Sequence, residues 1–246
     1  ARAAAAAPEA APACVNIVEH VVLLKVNDDA PAEAVEQMLD QLYSLQYMVP
    51  NVLSLTVGEK LDNGEGEDYT HCLVARFPSR EALEVYAAHP EHVRVVTEVM
   101  KPILDTDATL AVDYEACVEK DIEAMFKRGD DWDEGVEHVV LLKETDGGAG
   151  GDGAAAMAEA LQALPQRMAA DVRLLQLTAG ANFSARSKGY TFALVARLAS
   201  VADLEAYGPH PEHQAVVAGE IKPRVSGRLA FDFSLQPVEG ADTSGL

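Results

Sequence analysis

Basic residues are scarce in this sequence. Lys and Arg number 19 against 40 Asp and Glu in 246 residues, which gives a formal net charge of -21 at pH 7. A protein that binds a phosphate backbone or an anionic lipid surface needs clustered Lys and Arg. The composition therefore argues against nucleic acid as a partner and against attachment to an anionic membrane surface.

The sequence also lacks long apolar runs and cysteine pairs. No stretch approaches the run of about 20 apolar residues that a membrane-spanning helix needs, so we expect no integral membrane segment. Cys14, Cys72 and Cys117 are an odd number without CxxC spacing, which indicates neither a disulfide framework nor a zinc knuckle. We expect reduced cysteines in a reducing compartment.

Acidic residues are nearly missing from the N-terminal segment. Residues 1–16 are rich in Ala, contain one Glu and begin without Met. Such a low-complexity segment is typical of a disordered arm, and it also has the composition of a remnant left after cleavage of an organelle transit peptide. We therefore expect a chloroplast location, with the cytoplasm as the alternative.

The sequence contains one pattern that occurs twice. Tyr86-Ala-Ala-His-Pro-Glu-His92 returns as Tyr207-Gly-Pro-His-Pro-Glu-His213, and the octapeptide VEHVVLLK starts at both Val18 and Val136. Pro90 has no amide hydrogen and a fixed φ, which suits the first position of a helix. Each copy therefore predicts a helix end, a corner and a second helix, with a Tyr and two His grouped at the corner.

Apolar periodicity predicts the order of elements in each copy. In the first copy, strand-like segments at 17–26, 52–57, 69–77 and 108–114 are interrupted by amphipathic helices that begin near Pro31 and Ser79. The resulting order, β-α-β-β-α-β, is that of a ferredoxin-like unit, and the second copy repeats it. The predicted boundaries divide the chain into a disordered arm (1–16), a first domain (17–115), a helical linker (116–134), a second domain (135–236) and a tail (237–246).

Each such unit covers one face of a four-stranded sheet with helices and leaves a second apolar face uncovered. Two units that face each other would bury both surfaces and close a barrel of about eight strands, wide enough for side chains or one small ligand. The predicted fold class is α+β, with two tandem ferredoxin-like domains of the dimeric α/β-barrel type. The two domains would form an intramolecular pseudo-dimer around the β-barrel.

The motifs of the two copies together resemble those of the stress-responsive A/B barrel (Dabb) family. They are the HxVxxK pattern from His20 to Lys25, the pair Val57-Gly58, the segment from Gly66 to His71 and the YxxHPxH corner. The resemblance covers residues 17–115 and 135–235 and implies a ferredoxin-like unit that dimerises into a barrel. Tandem-domain members of plants and algae are the class that it resembles most.

The resemblance also implies candidate site residues. One enzyme of the family, a plant polyketide cyclase, uses a Tyr and a His of the corner motif. By this likeness its base falls on His92 and its hydroxyl partner on Tyr86, with further pocket histidines at His20 and His71. The matching residues of the second copy are His138, Tyr207 and His213. At the position that corresponds to His71, the second copy has Phe192. The first copy is therefore the better candidate for an active cavity.

The residue types of the corner allow three kinds of role. A neutral imidazole can take a proton from an activated carbon while a Tyr hydroxyl hydrogen-bonds the enolate, so Tyr86 and His92 could catalyse an aldol-type cyclisation. The structural alternative, which we favour for His89 and His210, is hydrogen bonding to backbone groups freed where the first helix ends. Several imidazoles could also bind a transition metal, but HPxH lacks the i,i+4 spacing of a ligand pair. We predict no metal and no cofactor.

The function favoured by the sequence is a non-enzymatic binding or scaffold role in a stress response. A small apolar ligand would occupy the barrel, and the acidic surface would meet a protein partner. Assembly into a homo-oligomer is a further expectation. The alternative function is a polyketide-cyclase-like enzyme that uses the Tyr and His pair.

Overall fold

The computed structural model describes residues 15–62, 68–118, 135–145 and 151–234. The predictions for the tail and for most of the Ala-rich arm and helical linker lie outside these ranges. In the part of the chain described, no helix is both long and apolar enough to cross a membrane.

Both repeats have the predicted order of elements. The first contains β1 (Val15–Leu24), α1 (Ala32–Met48), β2 (Ser54–Glu59), β3 (His71–Phe77), α2 (Arg80–Ala88), α3 (Pro90–Arg94) and β4 (Leu110–Val118). The second contains β5 (Val136–Glu144), α4 (Asp152–Gln162), α5 (Leu164–Met168), β6 (Leu174–Ala181), β7 (Phe192–Leu198), α6 (Val201–Tyr207), α7 (Pro211–Val216) and β8 (Val225–Ser234). The helices α3 and α7 each continue into a π-helical turn, Val95–Met100 and Val217–Ile221.

Two details differ from the sequence prediction, and a proline divides one helical segment. The strand β4 continues to Val118, past the boundary predicted at residue 115 and into the segment assigned to the linker. Pro165 lies in the first turn of α5, so the helical segment after β5 is divided into α4 and α5. Cys72 is a buried free thiol, whereas Cys117 is disulfide-bonded, and the expectation of reduced cysteines is wrong at Cys117.

The eight strands form two antiparallel sheets, with the orders β2-β3-β1-β4 and β6-β7-β5-β8. One face of each sheet packs on the helices of its own repeat. The other two faces meet, and their side chains form a third core cluster that includes Ile17, Val21, Val112, Val139, Phe231 and Phe233. The predicted pseudo-dimer of ferredoxin-like units is therefore confirmed.

The edges of the two sheets join, which closes the barrel. The strand β4 lies beside β6, where Tyr114 bridges to Asn182, and β2 leads to a bridge between Lys60 and Phe233 of β8. At both seams a glycine permits the close approach. A Cβ on Gly58 would lie 2.8 Å from Cδ2 of Phe233, and a Cβ on Gly180 would lie 2.5 Å from the carbonyl oxygen of Glu115.

A charged network lies buried inside the barrel. Glu19 lies opposite Arg76 on neighbouring strands, and Glu137 lies opposite Arg197. Arg76 pairs with Glu19, and Arg197 contacts both glutamates, at 3.2 Å and 2.7 Å. Burial would raise the pKa of Glu19, but the charges of Arg76 and Arg197 hold it at about 2. The two positive and two negative charges balance, as burial of charged groups requires.

The interior of the barrel is thus occupied by side chains of the chain itself. The apolar cluster fills one part of the space between the sheets, and the Glu–Arg network fills another. Gln176 joins the network through a hydrogen bond of 2.7 Å from Arg76. The sequence analysis allowed either side chains or one small ligand in the barrel, and the described side chains lie in that space.

Candidate ligand cavities

Each repeat has a cavity on the other side of its sheet, between the sheet and the helices. The cavity of the first repeat, named here the first cavity, measures about 650 Å³, and the second cavity about 840 Å³. The wall of the first cavity is mostly apolar and includes Val22, Leu42, Leu73, Leu83, Met100 and Leu104. Both volumes are typical of sites for small organic ligands.

Two helices with capped N-termini, α2 and α3, border the first cavity, and the His-Pro corner lies between them. Ser79 caps α2, since its hydroxyl accepts a hydrogen bond from the amide of Ala82. His89 then caps α3, because its Nδ1 accepts from the amide of Glu91 at 3.3 Å. His210 caps α7 in the same way. These two histidines bind backbone groups, as predicted, but at the start of the second helix rather than at the end of the first.

The last histidine of each corner does bind a carbonyl at the end of the first helix. Nδ1–H of His92 donates to the carbonyl of Ala87 at 3.0 Å, and Nδ1–H of His213 donates to Gly208 at 2.8 Å. Among the described residues, Nε2 of His92 has no partner. Burial lowers the pKa of both imidazoles. Each ring is therefore held neutral, with one acceptor nitrogen open to the cavity that it lines.

A tyrosine from the corner lies against this histidine. The ring centroids of Tyr86 and His92 are 4.4 Å apart, and those of Tyr207 and His213 are also 4.4 Å apart. Both tyrosines are buried and line their cavities, and burial raises the pKa of both hydroxyls. No hydrogen-bond partner for the Tyr86 hydroxyl lies in the described part of the chain. The hydroxyl is thus an available donor inside the cavity.

A His–Asp pair forms the floor of each cavity. Nδ1 of His20 lies 2.5 Å from Oδ1 of Asp113, and His138 and Asp232 repeat the pair at the same distance. Burial would raise the pKa of Asp113, but the hydrogen bond and charge of His20 lower it. The sequence prediction named both histidines but missed both aspartates. The available signal was an acidic residue in each closing strand, at the position opposite the histidine.

His71 does not join this group. It is buried at the start of β3, its Nδ1 lies 2.9 Å from the hydroxyl of Thr70, and it is not part of the wall of the first cavity. Burial lowers its pKa. Tyr69, at the start of the strand predicted over 69–77, precedes β3 and packs in the cluster between the sheets.

Each cavity is completed by the other repeat. The loop after β6 brings Phe183 and Arg186 to the first cavity, and the segment after β2 brings Leu61 and Asp62 to the second. Arg80 lies 4.0 Å above the ring of Phe183, so the loop is fixed against α2. Sequence analysis missed these contributions, because residues from opposite repeats meet only once the barrel has closed.

The arrangement supplies hydrogen-bonding groups around an apolar space. A neutral imidazole nitrogen can accept a proton or a hydrogen bond, and the Tyr hydroxyl can donate one. Within the described ranges, no three His, Cys, Asp or Glu side chains are grouped so that they could hold a metal ion. The chemistry that the cavities offer is therefore polar contact or proton transfer at the end of an apolar molecule.

Comparison with known proteins places the chain in a family. The Stress responsive A/B Barrel Domain matches residues 18–116 and 136–235. A stress-response A/B barrel domain-containing protein of Arabidopsis thaliana is 29% identical over 219 residues, which cover 89% of this chain and 78% of that protein. A second protein of this plant with the same domain is 42% identical over 86 residues, 34% of this chain and 40% of that protein.

A solved structure agrees with the fold. An anthrone oxidase-like protein superposes with a TM-score of 0.60 at 14% identity, over 91% of this chain and 92% of that chain. At such low identity the likeness concerns the fold alone. Since the family's domain covers both repeats, the chain belongs to the stress-responsive A/B barrel family, as a member with two tandem domains.

Proposed function

We propose that this protein binds small, largely apolar ligands without converting them, one in each cavity between sheet and helices. The observation that supports the proposal most is the Tyr86 hydroxyl, a donor without a partner among the described residues, which borders an apolar space. Buried polar groups in proteins are nearly always hydrogen-bonded. A ligand with one polar end would satisfy this hydroxyl and the open Nε2 of His92.

A purely structural role accounts less well for these cavities. Protein interiors are packed with few voids larger than a water molecule. The barrel of this protein follows that rule, whereas the two cavities measure about 650 Å³ and about 840 Å³. The same chain thus packs the space inside the barrel and leaves two clefts open to solvent, and in both clefts a Tyr and a His line the wall.

Extraction and titration test the proposal. Purified protein should release small apolar compounds into organic solvent, detectable by mass spectrometry. Ligand-free protein should then bind 1-octanol in calorimetry, with the negative heat-capacity change that marks burial of apolar surface. Absence of both the extract and the binding heat would contradict the proposal.

A matched pair of variants locates the polar contact. Replacing both Tyr86 and Tyr207 by Phe should weaken octanol binding about threefold to tenfold, the usual value of one neutral hydrogen bond. Tyr114→Phe is the control, because that hydroxyl lies inside the barrel, 2.9 Å from the hydroxyl of Thr178. Its loss should leave octanol binding unchanged.

A second candidate function is proton-transfer catalysis in the first cavity, of the polyketide-cyclase type. It is supported by the hydrogen bond that leaves Nε2 of His92 free to act as a base beside the Tyr86 hydroxyl. Turnover of a linear polyketide acid that is lost in His92→Ala and kept in His89→Ala would favour catalysis. His89 is the control because it caps α3. Failure to turn over any such acid would leave binding as the function.

A homo-oligomer, a protein partner for the acidic surface and a chloroplast location are further proposals that rest on the sequence. Light scattering of the purified chain tests the first, since a second copy would double the measured mass. Co-purification from plant or algal tissue tests the second. A fluorescent fusion expressed in leaf cells tests the third, and signal confined to the cytosol would contradict it.

A further inference from the structure

The side chains that each repeat lends to the other's cavity differ in charge. The first cavity receives Arg186 beside Phe183, and the second receives Asp62 beside Leu61. Phe183 and Leu61 are alike in being apolar and in following the second strand of their repeats. The charged member is therefore what distinguishes the two contributions, a cation in one cavity and an anion in the other.

The other charged side chains that line the first cavity are of two kinds. Some are paired with a residue of the chain, and the others have a counterpart in the second cavity. Arg80 forms two hydrogen bonds with Glu115, at 2.9 Å and 2.7 Å. Asp113 is paired with His20. Glu84 and Lys101 have the counterparts Glu205 and Lys222 in the second cavity. These groups cannot make the two cavities differ in their preference for a charged ligand.

Arg186 is the cation that the second repeat contributes to the first cavity, whereas Lys101 has a counterpart in the second cavity. Its guanidinium has no hydrogen-bond or ion-pair partner within the ranges that the structure describes. It is exposed at the mouth and lines the same cavity as His92 and Asp113. The second cavity has Arg228, but this arginine interacts with other groups of the chain, and the carboxylate of Asp62 lies on the same wall.

We propose that the first cavity selects an apolar ligand that ends in a carboxylate, with the carboxylate on Arg186 and the apolar chain against Leu83, Met100 and Leu104. The proposal rests on the ligand-binding function proposed above and adds the class of ligand. A planar guanidinium can bind a carboxylate through two parallel hydrogen bonds. In the second cavity the same carboxylate would meet Asp62, so that cavity does not share the preference.

The test compares straight-chain carboxylic acids of eight to twelve carbons with the alcohols of the same length. The full chain carries Gly208→Trp, which fills the mouth of the second cavity so that only the first is measured. Gly208 is suited to this change because it has a helical φ and a Cβ there meets nothing within 4 Å. We expect the acid to bind about tenfold more tightly than the alcohol, a moderate effect because the arginine is exposed to solvent.

Two substitutions assign the preference to its residue. Arg186→Gln should make acid and alcohol bind equally. Arg167→Gln, which removes an exposed arginine outside both cavities, should leave the tenfold preference unchanged. In the reciprocal protein, Ala87→Trp closes the first cavity, and the second should then show no preference for the acid.

The outcomes separate this inference from the function on which it rests. If acid and alcohol bind with equal affinity, or if the preference survives Arg186→Gln, the inference is wrong and the binding function stands. If neither compound of any length binds, both are wrong. A preference for the acid that disappears in Arg186→Gln, and only there, supports the inference.

Discussion

The hydroxyl of Thr56 in the first repeat donates a hydrogen bond of 2.8 Å to Glu137 in the second. In the opposite direction, the hydroxyl of Thr178 in the second repeat donates a hydrogen bond of 3.1 Å to Glu19 of the first. Both glutamates are fully buried and also bind arginines. The two repeats are thus joined by a buried polar network as well as by apolar packing. All the hydrogen bonds to Glu19 go to Oε1, and its Oε2 has no partner among the described residues.

Glu19→Gln should destabilise the folded protein, because it removes the carboxylate that Arg76 and Arg197 share. We expect the free energy of unfolding to fall by about 3 kcal/mol, because an arginine charge is left buried without compensation. Urea unfolding at pH 7 measures the change. Glu115→Gln is the control, since it breaks an exposed pair with Arg80 and should have a much smaller effect. Equal losses in the two variants would contradict the role of the network.

The same carboxylate predicts an acid-dependent loss of stability. In the folded protein the pKa of Glu19 is about 2, against 4.5 for a free side chain. The unfolded chain therefore takes up a proton first, so this stabilisation is complete above pH 4.5 and declines as the pH falls toward 2. Between pH 6 and pH 2.5 the wild type should lose about 2 kcal/mol more than Glu19→Gln. Urea unfolding at both pH values measures the free energy of unfolding of the two proteins. An equal loss in the wild type and in Glu19→Gln would argue against a buried charge on Glu19.

Gly58 and Gly180, which lie where the two sheets join, should not tolerate a side chain without loss of stability. Gly58→Ala and Gly180→Ala would force a methyl group against backbone oxygens, those of Ser234 and Glu115. We expect each to lower the free energy of unfolding by about 1–3 kcal/mol, the usual effect of overpacking. Gly219→Ala is the matched control, since its Cβ would meet nothing within 4 Å. Thermal unfolding measures all three, and a seam variant as stable as Gly219→Ala would contradict the close approach of the edges.

The pKa of His92 should lie below the ordinary histidine value of 6.5, because burial disfavours its charged form. His213 should behave in the same way. NMR of the imidazole nitrogens should also show the proton on Nδ1 in both rings, since that nitrogen donates to a carbonyl. The unfolded protein in urea is the reference for the titration. A His92 that titrates above 6.5, or that carries its proton on Nε2, would remove the basis for an open acceptor in the cavity.

Much of the fold could be predicted, because its main signal is repetition. The octapeptide VEHVVLLK and the His-Pro corner occur twice, and a four-stranded sheet with two apolar faces needs a second sheet. Element ends were less predictable. The strand β4 continues to Val118 because it pairs with β1 as far as Val15, and no local pattern marks where that pairing stops.

The site was predicted in part. Tyr86, His92 and His20 do line one cavity, whereas His71 does not, since it lies at the start of β3 and binds Thr70. Asp113 was missed because its pairing with His20 depends on the register of distant strands. The location of the cavity was missed for a related reason. Alternation along β1 turns Glu19 into the barrel and His20 toward the helices, and the sequence does not show which of the two spaces is filled.

The central claim is that ligands bind between sheet and helices and not inside the barrel. Calorimetric titration with 1-octanol tests it most directly, on the wild type, on Ala87→Trp, on Gly208→Trp and on the double variant. Both positions line the mouths of the cavities and lie outside the barrel. We predict two bound molecules for the wild type, one for each single variant and none for the double variant. Binding by the double variant equal to that of the wild type would contradict the claim.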